Sequence, residues 1–282
     1  MTSSVVAAVV RQEGRYIQEW VAYQYLIGFD AIIVMLHNYR NEPDNTLTKI
    51  QQLPDYILEK VIVDSVSVED ISGVPNPMYQ RAGMYKAFNE HIKGRFEWMA
   101  MFDADEYLFV RQKVNTFLAG FPPTTGQVVL PWLLFGHNNR VRSVQYPETR
   151  LSAFTSRSNA YTNFKSIVRV DCVPQIEWYH CHFAKGVPNS TACNSKIISD
   201  TPLEHWHEIQ SVMCHYPIED ICLAHYYTGA MEDWVNRHYR RAIACYNELD
   251  VKRFIECSYD CQDDRMLLYN DELKGILSKV QR

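Results

Sequence analysis

Val5 to Val10 is an unbroken, β-branched apolar run, the pattern of a strand buried on both faces. It ends at Arg11-Gln12-Glu13-Gly14. From Arg15 to Leu26 the period changes: Ile17, Trp20, Val21 and Tyr25 recur every three to four residues, which predicts a helix closed by Gly28. Ala31 to Leu36 repeats the buried-strand pattern, a polar turn over residues 37–45 follows, and Thr46 to Leu53 predicts a short helix. Val61-Ile62-Val63 predicts a third strand ending at Asp64. After a loop marked by Gly73, Pro75 and Pro77, a helix is predicted from about Met78 to Ile92, and then Phe96 to Phe102 as a fourth strand. Strands alternating with helices in this way predict a parallel sheet with right-handed crossovers.

The second half reads differently. Gln127 to Gly136 is strand-like but holds Pro131, which predicts an edge strand or a bulge. Ser166 to Val170 and Ile176 to Phe183 predict further short strands separated by turn residues, so the sheet should continue partly antiparallel. From Met231 the pattern is helical to about Val280, with Glu232 and Asp233 in the first turn and Arg237, Arg240 and Arg241 as a basic ridge. The expected fold class is α/β: a Rossmann-like mixed sheet, its parallel N-terminal half flanked by helices, its second half partly antiparallel, with helices at the C-terminal end. With 282 residues and 47% hydrophobic content, one domain is expected, divided into a ligand-binding half (about 1–110), a second half (about 111–230) and terminal helices (about 231–282).

Charge and cysteine content narrow the function classes. A net charge of −5 gives no basic footprint for a nucleic-acid backbone. No stretch of eighteen apolar residues predicts a membrane span, and Met1-Thr2-Ser3-Ser4 lacks a basic leader region. All eight cysteines lie in the second half without a Cys-x-x-Cys pair, which favours reduced thiols and a cytoplasmic setting. The Asn189-Ser190-Thr191 sequon speaks for the alternative, a lumenal domain whose anchor has been removed.

The chemistry concentrates where the fourth strand ends, in Asp103-Ala104-Asp105-Glu106. Three carboxylates in four positions repel one another unless a cation sits among them, and Asp-x-Asp offers hard oxygens suited to Mn²⁺ or Mg²⁺ shared with a phosphate. In an open parallel sheet ligands bind beyond the carboxyl ends of the strands. Arg11, Glu13, Asn38 and Asp64 should therefore converge with the acids on one crevice, to hold a base and ribose. Asp105 is the expected metal ligand, with Asp103 as a ribose contact or second metal position and His225, at the end of another apolar run, as a third ligand. Lys165 and Arg81 are the expected phosphate contacts. A carboxylate base is also required, and Glu148 and Asp220 both remain candidates.

These motifs resemble the GT-A glycosyltransferases, and more closely the family 2-like and family 92 enzymes. The resemblance rests on Arg11-Gln12-Glu13 followed by Glu19-Trp20-x-x-Tyr23 and Gly28; on Gln80-x-x-x-x-Tyr85; on Trp98-x-x-x-x-Asp103-Ala104-Asp105-Glu106-Tyr107; on Trp132-x-x-Phe135-Gly136; on Lys165-Ser166-Ile167-Val168-Arg169; and on His225-Tyr226-Tyr227 with Glu232 beyond. It implies a nucleotide-sugar-binding half, an Asp-x-Asp that ligates Mn²⁺ with the donor diphosphate, and inverting transfer from a UDP-sugar to a glycan hydroxyl. The chain departs from the pattern at Arg11-Gln12 and His37-Asn38, and at Thr228-Gly229, where a lysine is expected. Two alternatives stand beside this reading: a Mg²⁺-dependent sugar nucleotidyltransferase or phosphohydrolase, which shares the α/β sheet and the metal, and a non-catalytic carbohydrate-binding protein, which would stack sugars on some of the eighteen tyrosines and six tryptophans but has no need of the acidic cluster.

Overall fold

The computed structural model describes residues 2–37, 44–66, 79–159, 163–173, 182, 184–192, 197–200, 221–240, 252, 254–259 and 261–280. The first half follows the apolar pattern closely. It comprises β1 (Ser4–Val10), α1 (Ile17–Ile27), β2 (Ala31–His37), α2 (Thr46–Gln51), α3 (Asp55–Leu58), β3 (Val61–Val66), α4 (Tyr79–Lys86) and β4 (Trp98–Met101). Gly28 ends α1 in the left-handed region at φ 97°, where a residue without Cβ is at ease. The helix expected over Thr46–Leu53 forms as α2 and ends at Gln51, and Pro54, which cannot continue a helical turn, precedes the short α3. The helix after the Gly/Pro loop ends in a π-helical segment, Ala87–Ile92.

β1 pairs in parallel with β2 on one side and β4 on the other, and β2 pairs with β3. The chain therefore walks outward from β1 to β3 and returns across β1 to β4, so the strand order reverses between β1 and β4. Successive residues of each strand serve opposite cores. Val6, Ala8 and Val10 pack with α1 on one face, while Val5 and Ala7 pack with Ala82, Ala87 and Phe88 on the other. This two-sided burial is why the strands read as continuous apolar runs.

The remaining strands extend the sheet: β5 (Glu106–Val110), β6 (Gln127–Leu134), β8 (Asn163–Arg169), β9 (Ser190–Ala192), β10 (Ile197–Ser199) and β11 (Ile221–His225), while β7 (Ser156–Arg157) joins β12 (Cys261–Gln262) in a small ladder. β8 lies antiparallel between β4 and β6, and β11 is parallel to β6 and antiparallel to β5. The Pro131 edge expectation is corrected. β6 is internal, and the proline falls where its partner on one side changes from β9, opposite 127–129, to β11, opposite 132–134. Lys165 lies inside β8 rather than ahead of it, and β3 continues past Asp64 to Val66. The strand expected over Ile176–Phe183 falls largely outside the described residues.

Further helical segments of the described residues include α5 (Val114–Leu118), α6 (Arg150–Ala153), a 3₁₀ turn Val170–Cys172, α7 (Met231–Arg240), a 3₁₀ turn Arg265–Tyr269 and α8 (Asn270–Val280). Leu273, Ile276 and Leu277 of α8 join the α1 core, and the Tyr269 hydroxyl donates to the Val110 carbonyl at 2.9 Å. This cover buries nearly the whole of α1, including Glu19, where the sequence pattern predicts a one-sided apolar face. No helix of the described residues is long and apolar enough to cross a membrane.

Candidate functional site

A cleft of about 490 Å³ opens at the carboxyl ends of β1, β2 and β11 and beside the turn that follows β4. Its volume is in the range of small-molecule sites, and its place at the strand-order reversal is where α/β sheets bind ligands. Arg11, Glu13, Asp103, Asp105 and His225 all line it, as the sequence pattern leads one to expect. So do Tyr16, Gln80, Trp132, Arg150, Tyr227, Asp233 and Arg237.

The loop after β1 is tied to the start of α2. The Gln12 backbone N–H donates to Asp44 at 3.0 Å, and that of Glu13 donates to the Thr46 hydroxyl at 3.0 Å. Gln12 takes a positive φ of 54°, which turns the chain sharply beneath the cleft. Asn38, expected to join these residues, lies outside the described residues.

The acids of the Asp-x-Asp turn are held separately. Asp103 accepts from Gln80 Nε2 at 2.7 Å and from Lys165 Nζ at 2.9 Å. Lys165 also reaches Glu106 at 2.8 Å, and the Asp103 backbone N–H donates to the same Glu106 oxygen at 2.8 Å. Glu106 and Lys165 are buried, so each charge depends on the other. Burial pushes Glu106 up to about 7, against the pull of Lys165. Burial also works against the Lys165 ammonium, but Asp103 and Glu106 overcome it and hold its pKa above the ordinary lysine range. Lys165 is thus a strut beneath the acidic turn, set back from the cleft wall where a phosphate contact was expected.

Asp105 has different partners. Its Oδ1 lies 3.3 Å from His225 Nε2 and its Oδ2 3.0 Å from an Arg237 nitrogen. Burial opposes ionisation, yet His225 and Arg237 outweigh it and keep the Asp105 carboxyl well below the usual range. The β11–β5 register puts His225 opposite Glu106, and the Tyr226 N–H donates to the Asp105 carbonyl at 2.9 Å. Trp132 stacks on the His225 ring at 4.3 Å and 12°, which fixes the plane of the imidazole.

Beside this turn lies a buried arginine that sequence reasoning missed as a site residue. Arg150 donates to the Ala104 carbonyl at 3.2 Å and sits 3.6 Å over the Tyr16 ring, while its backbone N–H donates to Glu19 at 2.9 Å. Burial pushes Glu19 up to about 7, against the pull of Arg150. The available signal was Glu19 itself, the one charged residue of a largely apolar helix. Asp233, read from sequence as a helix-start acid, accepts from the Tyr16 hydroxyl at 2.7 Å, from the Ser143 hydroxyl at 2.5 Å and from the Ala230 N–H at 3.1 Å.

Several expected residues lie elsewhere. Glu148 does not line the cleft; it forms a two-point pair with Arg140 at 2.8 and 2.5 Å. Arg81 is exposed and outside the lining, where its neighbour Gln80 takes the inward position. Asp64 is also outside, bound to His91 at 2.9 Å and Lys86 at 3.2 Å; burial raises its pKa, but these partners lower it below the ordinary range overall. Asp220 is not among the described residues.

Among the described residues, the set of three metal-type donors within 4.8 Å of one another is Asp64, Glu90 and His91. Asp103, Asp105 and His225 do not close into such a set, because Asp103 is drawn to Lys165 and Gln80. Asp105 and His225 nevertheless pair a carboxylate with an imidazole inside the cleft, and His225 Nδ1 is a buried atom with no hydrogen-bond partner. This pair suits Mn²⁺ or Mg²⁺ held jointly with phosphate oxygens and water.

No family model and no curated protein matches the chain. Among solved structures it is similar to the galactosyltransferase LgtC, with donor and acceptor sugar analogues, at 10% identity and a TM-score of 0.37, covering 79% of this chain and 87% of that one. It is also similar to the mannosyltransferase Ktr4p from S. cerevisiae (8% identity, TM-score 0.30, 49% of this chain) and to the bifunctional glycosyltransferase WbbM (8%, 0.32, 46%). The chain spans 41% of the Ktr4p structure and 23% of that of WbbM. Likenesses this loose carry no weight for function.

Proposed function

We propose that this protein is a glycosyltransferase that takes a sugar from a UDP-sugar and transfers it, with inversion, to a glycan hydroxyl. The observation that carries the reading is the setting of Asp105: a carboxylate in a cleft at the strand-order reversal, flanked by an imidazole suited to a divalent ion and a guanidinium suited to a phosphate. The resemblance of the motifs to GT-A enzymes points the same way.

In this reading Asp105 and His225 hold Mn²⁺ or Mg²⁺ together with the donor's phosphates, and Asp103 faces the ribose. Bound there, the ion supplies charge stabilisation to the departing diphosphate. The loop Arg11 to Glu13 borders the base. Lys165, from beneath, and Arg150, through the Ala104 carbonyl, keep the acidic turn in shape. The acceptor oxygen bonds to the anomeric carbon as the bond from that carbon to the diphosphate oxygen breaks, with its electron pair leaving on the nucleotide. The hydroxyl proton passes to a carboxylate. Glu148 is committed to Arg140, and Asp233 already accepts four hydrogen bonds, from Arg15, Tyr16, Ser143 and Ala230, so Asp220 is kept as the proposed base.

The test is incubation with a panel of nucleotide sugars, with and without Mn²⁺, following release of the nucleoside diphosphate. Donor-selective, metal-stimulated release is expected. If no donor is bound or cleaved in either condition, the reading fails.

A further inference from the structure

The basic ridge predicted on α7 does not all face water. Arg237 turns into the cleft, where its side chain is 17% exposed, and its two terminal nitrogens have partners of different kinds. One donates to the Tyr227 carbonyl at 2.6 Å, a neutral backbone group that holds the guanidinium in place. The other meets Asp105 Oδ2 at 3.0 Å through a single nitrogen rather than a two-point fork. Thr228 and Gly229, which follow Tyr227, carry no charge. Arg237 therefore brings a cation to this part of the cleft from a helix turn further along.

A carboxylate that also binds a divalent ion cannot keep this partner at full strength, because the two cations repel. A diphosphate offers the guanidinium more negative charge and the paired oxygens its fork matches. We infer that Arg237 is a diphosphate-binding residue that balances Asp105 in the free protein and exchanges it for phosphate oxygens when metal and donor enter. The inference rests on the nucleotide-sugar reading and adds a consequence: metal and nucleotide affinities are coupled through one side chain.

Calorimetric titration of wild type, Arg237→Gln and Arg237→Lys with Mn²⁺ alone, and with uridine diphosphate in the presence and absence of Mn²⁺, tests it. Arg237→Gln is expected to bind Mn²⁺ alone about threefold or more tightly than wild type, and uridine diphosphate with Mn²⁺ about tenfold or more weakly, within the usual size of site-to-site coupling. Arg237→Lys should recover part of the nucleotide affinity and gives the measurement if the glutamine variant does not fold. Wild type that binds uridine diphosphate while the variants bind it within about twofold of wild type overturns the role of Arg237 alone. Mn²⁺ binding that weakens in the variants reduces Arg237 to a prop for Asp105 and overturns the exchange. Wild type that binds no uridine diphosphate with or without Mn²⁺ overturns the proposed UDP-sugar function, and this inference with it.

Discussion

The Lys165 ammonium lies 2.8 Å from the Glu106 carboxylate, and neither side chain reaches solvent. The pair sits under the Asp-x-Asp turn, so it links the stability of the fold to the shape of the site. Lys165 comes from β8, which is antiparallel to β4 and so delivers its side chain beneath the turn that β4 leads into.

Replacing Lys165 by Met leaves Glu106 buried without its counter-charge and frees Asp103. The loss should be about 3–5 kcal/mol of unfolding free energy. The double variant Lys165→Met, Glu106→Gln should lose less than the sum of the two single changes. Denaturant unfolding of the four proteins checks both statements; additive losses would show that the pair is not coupled.

Asp105→Asn keeps the size of the side chain and removes its charge. Metal-stimulated nucleotide release should fall on the order of 100-fold or more, while the circular dichroism spectrum is kept. Unchanged turnover removes Asp105 from the mechanism.

Trp132→Leu removes the stacking surface that sets the His225 ring without touching Asp105. Mn²⁺ affinity should weaken about tenfold, the usual cost of losing support behind a metal ligand. Calorimetry on the ligand-free protein gives the answer, and an affinity equal to that of wild type would mean that His225 needs no such support.

Burial pushes the Glu19 and Glu106 carboxyls up to about 7, above their unfolded values. A raised folded pKa favours the neutral form, so the stabilisation it brings is complete below the unfolded value and is lost as pH rises through about 7. Asp105 acts in the opposite direction: its lowered pKa stabilises above the ordinary carboxylate range and is lost in strong acid. Between about pH 5 and 7.5 the melting temperature of Glu19→Gln should therefore rise relative to wild type. Thermal melts across that window that run parallel would refute it.

Much of the framework was legible in the chain. The runs at Val5–Val10 and Ala31–Leu36 lack alternation because both faces of these strands are covered, and burial on both sides leaves that mark in any local window. Gly28 marked the end of α1 for an equally local reason. Arg11, Glu13, Asp103, Asp105 and His225 were legible as cleft residues because strand ends of a parallel sheet meet at one edge. Pro131 misled because an internal strand can change partners along its length, and neither neighbour is visible in its own sequence.

The sequence by itself determined the alternation of strands and helices, the two-sided burial of the first strands and the position of the acidic turn, since each depends on residues a few positions apart. Only the tertiary structure decided which charge meets which acid. Lys165 reaches Asp103 across 62 positions and Arg237 reaches Asp105 across 132, while the backbone N–H of Arg150 reaches Glu19 across 131. Such pairings follow from strand order and register, which the whole sheet sets together. The local pattern around an arginine is the same whether it faces water or, as Arg237 does, a buried carboxylate.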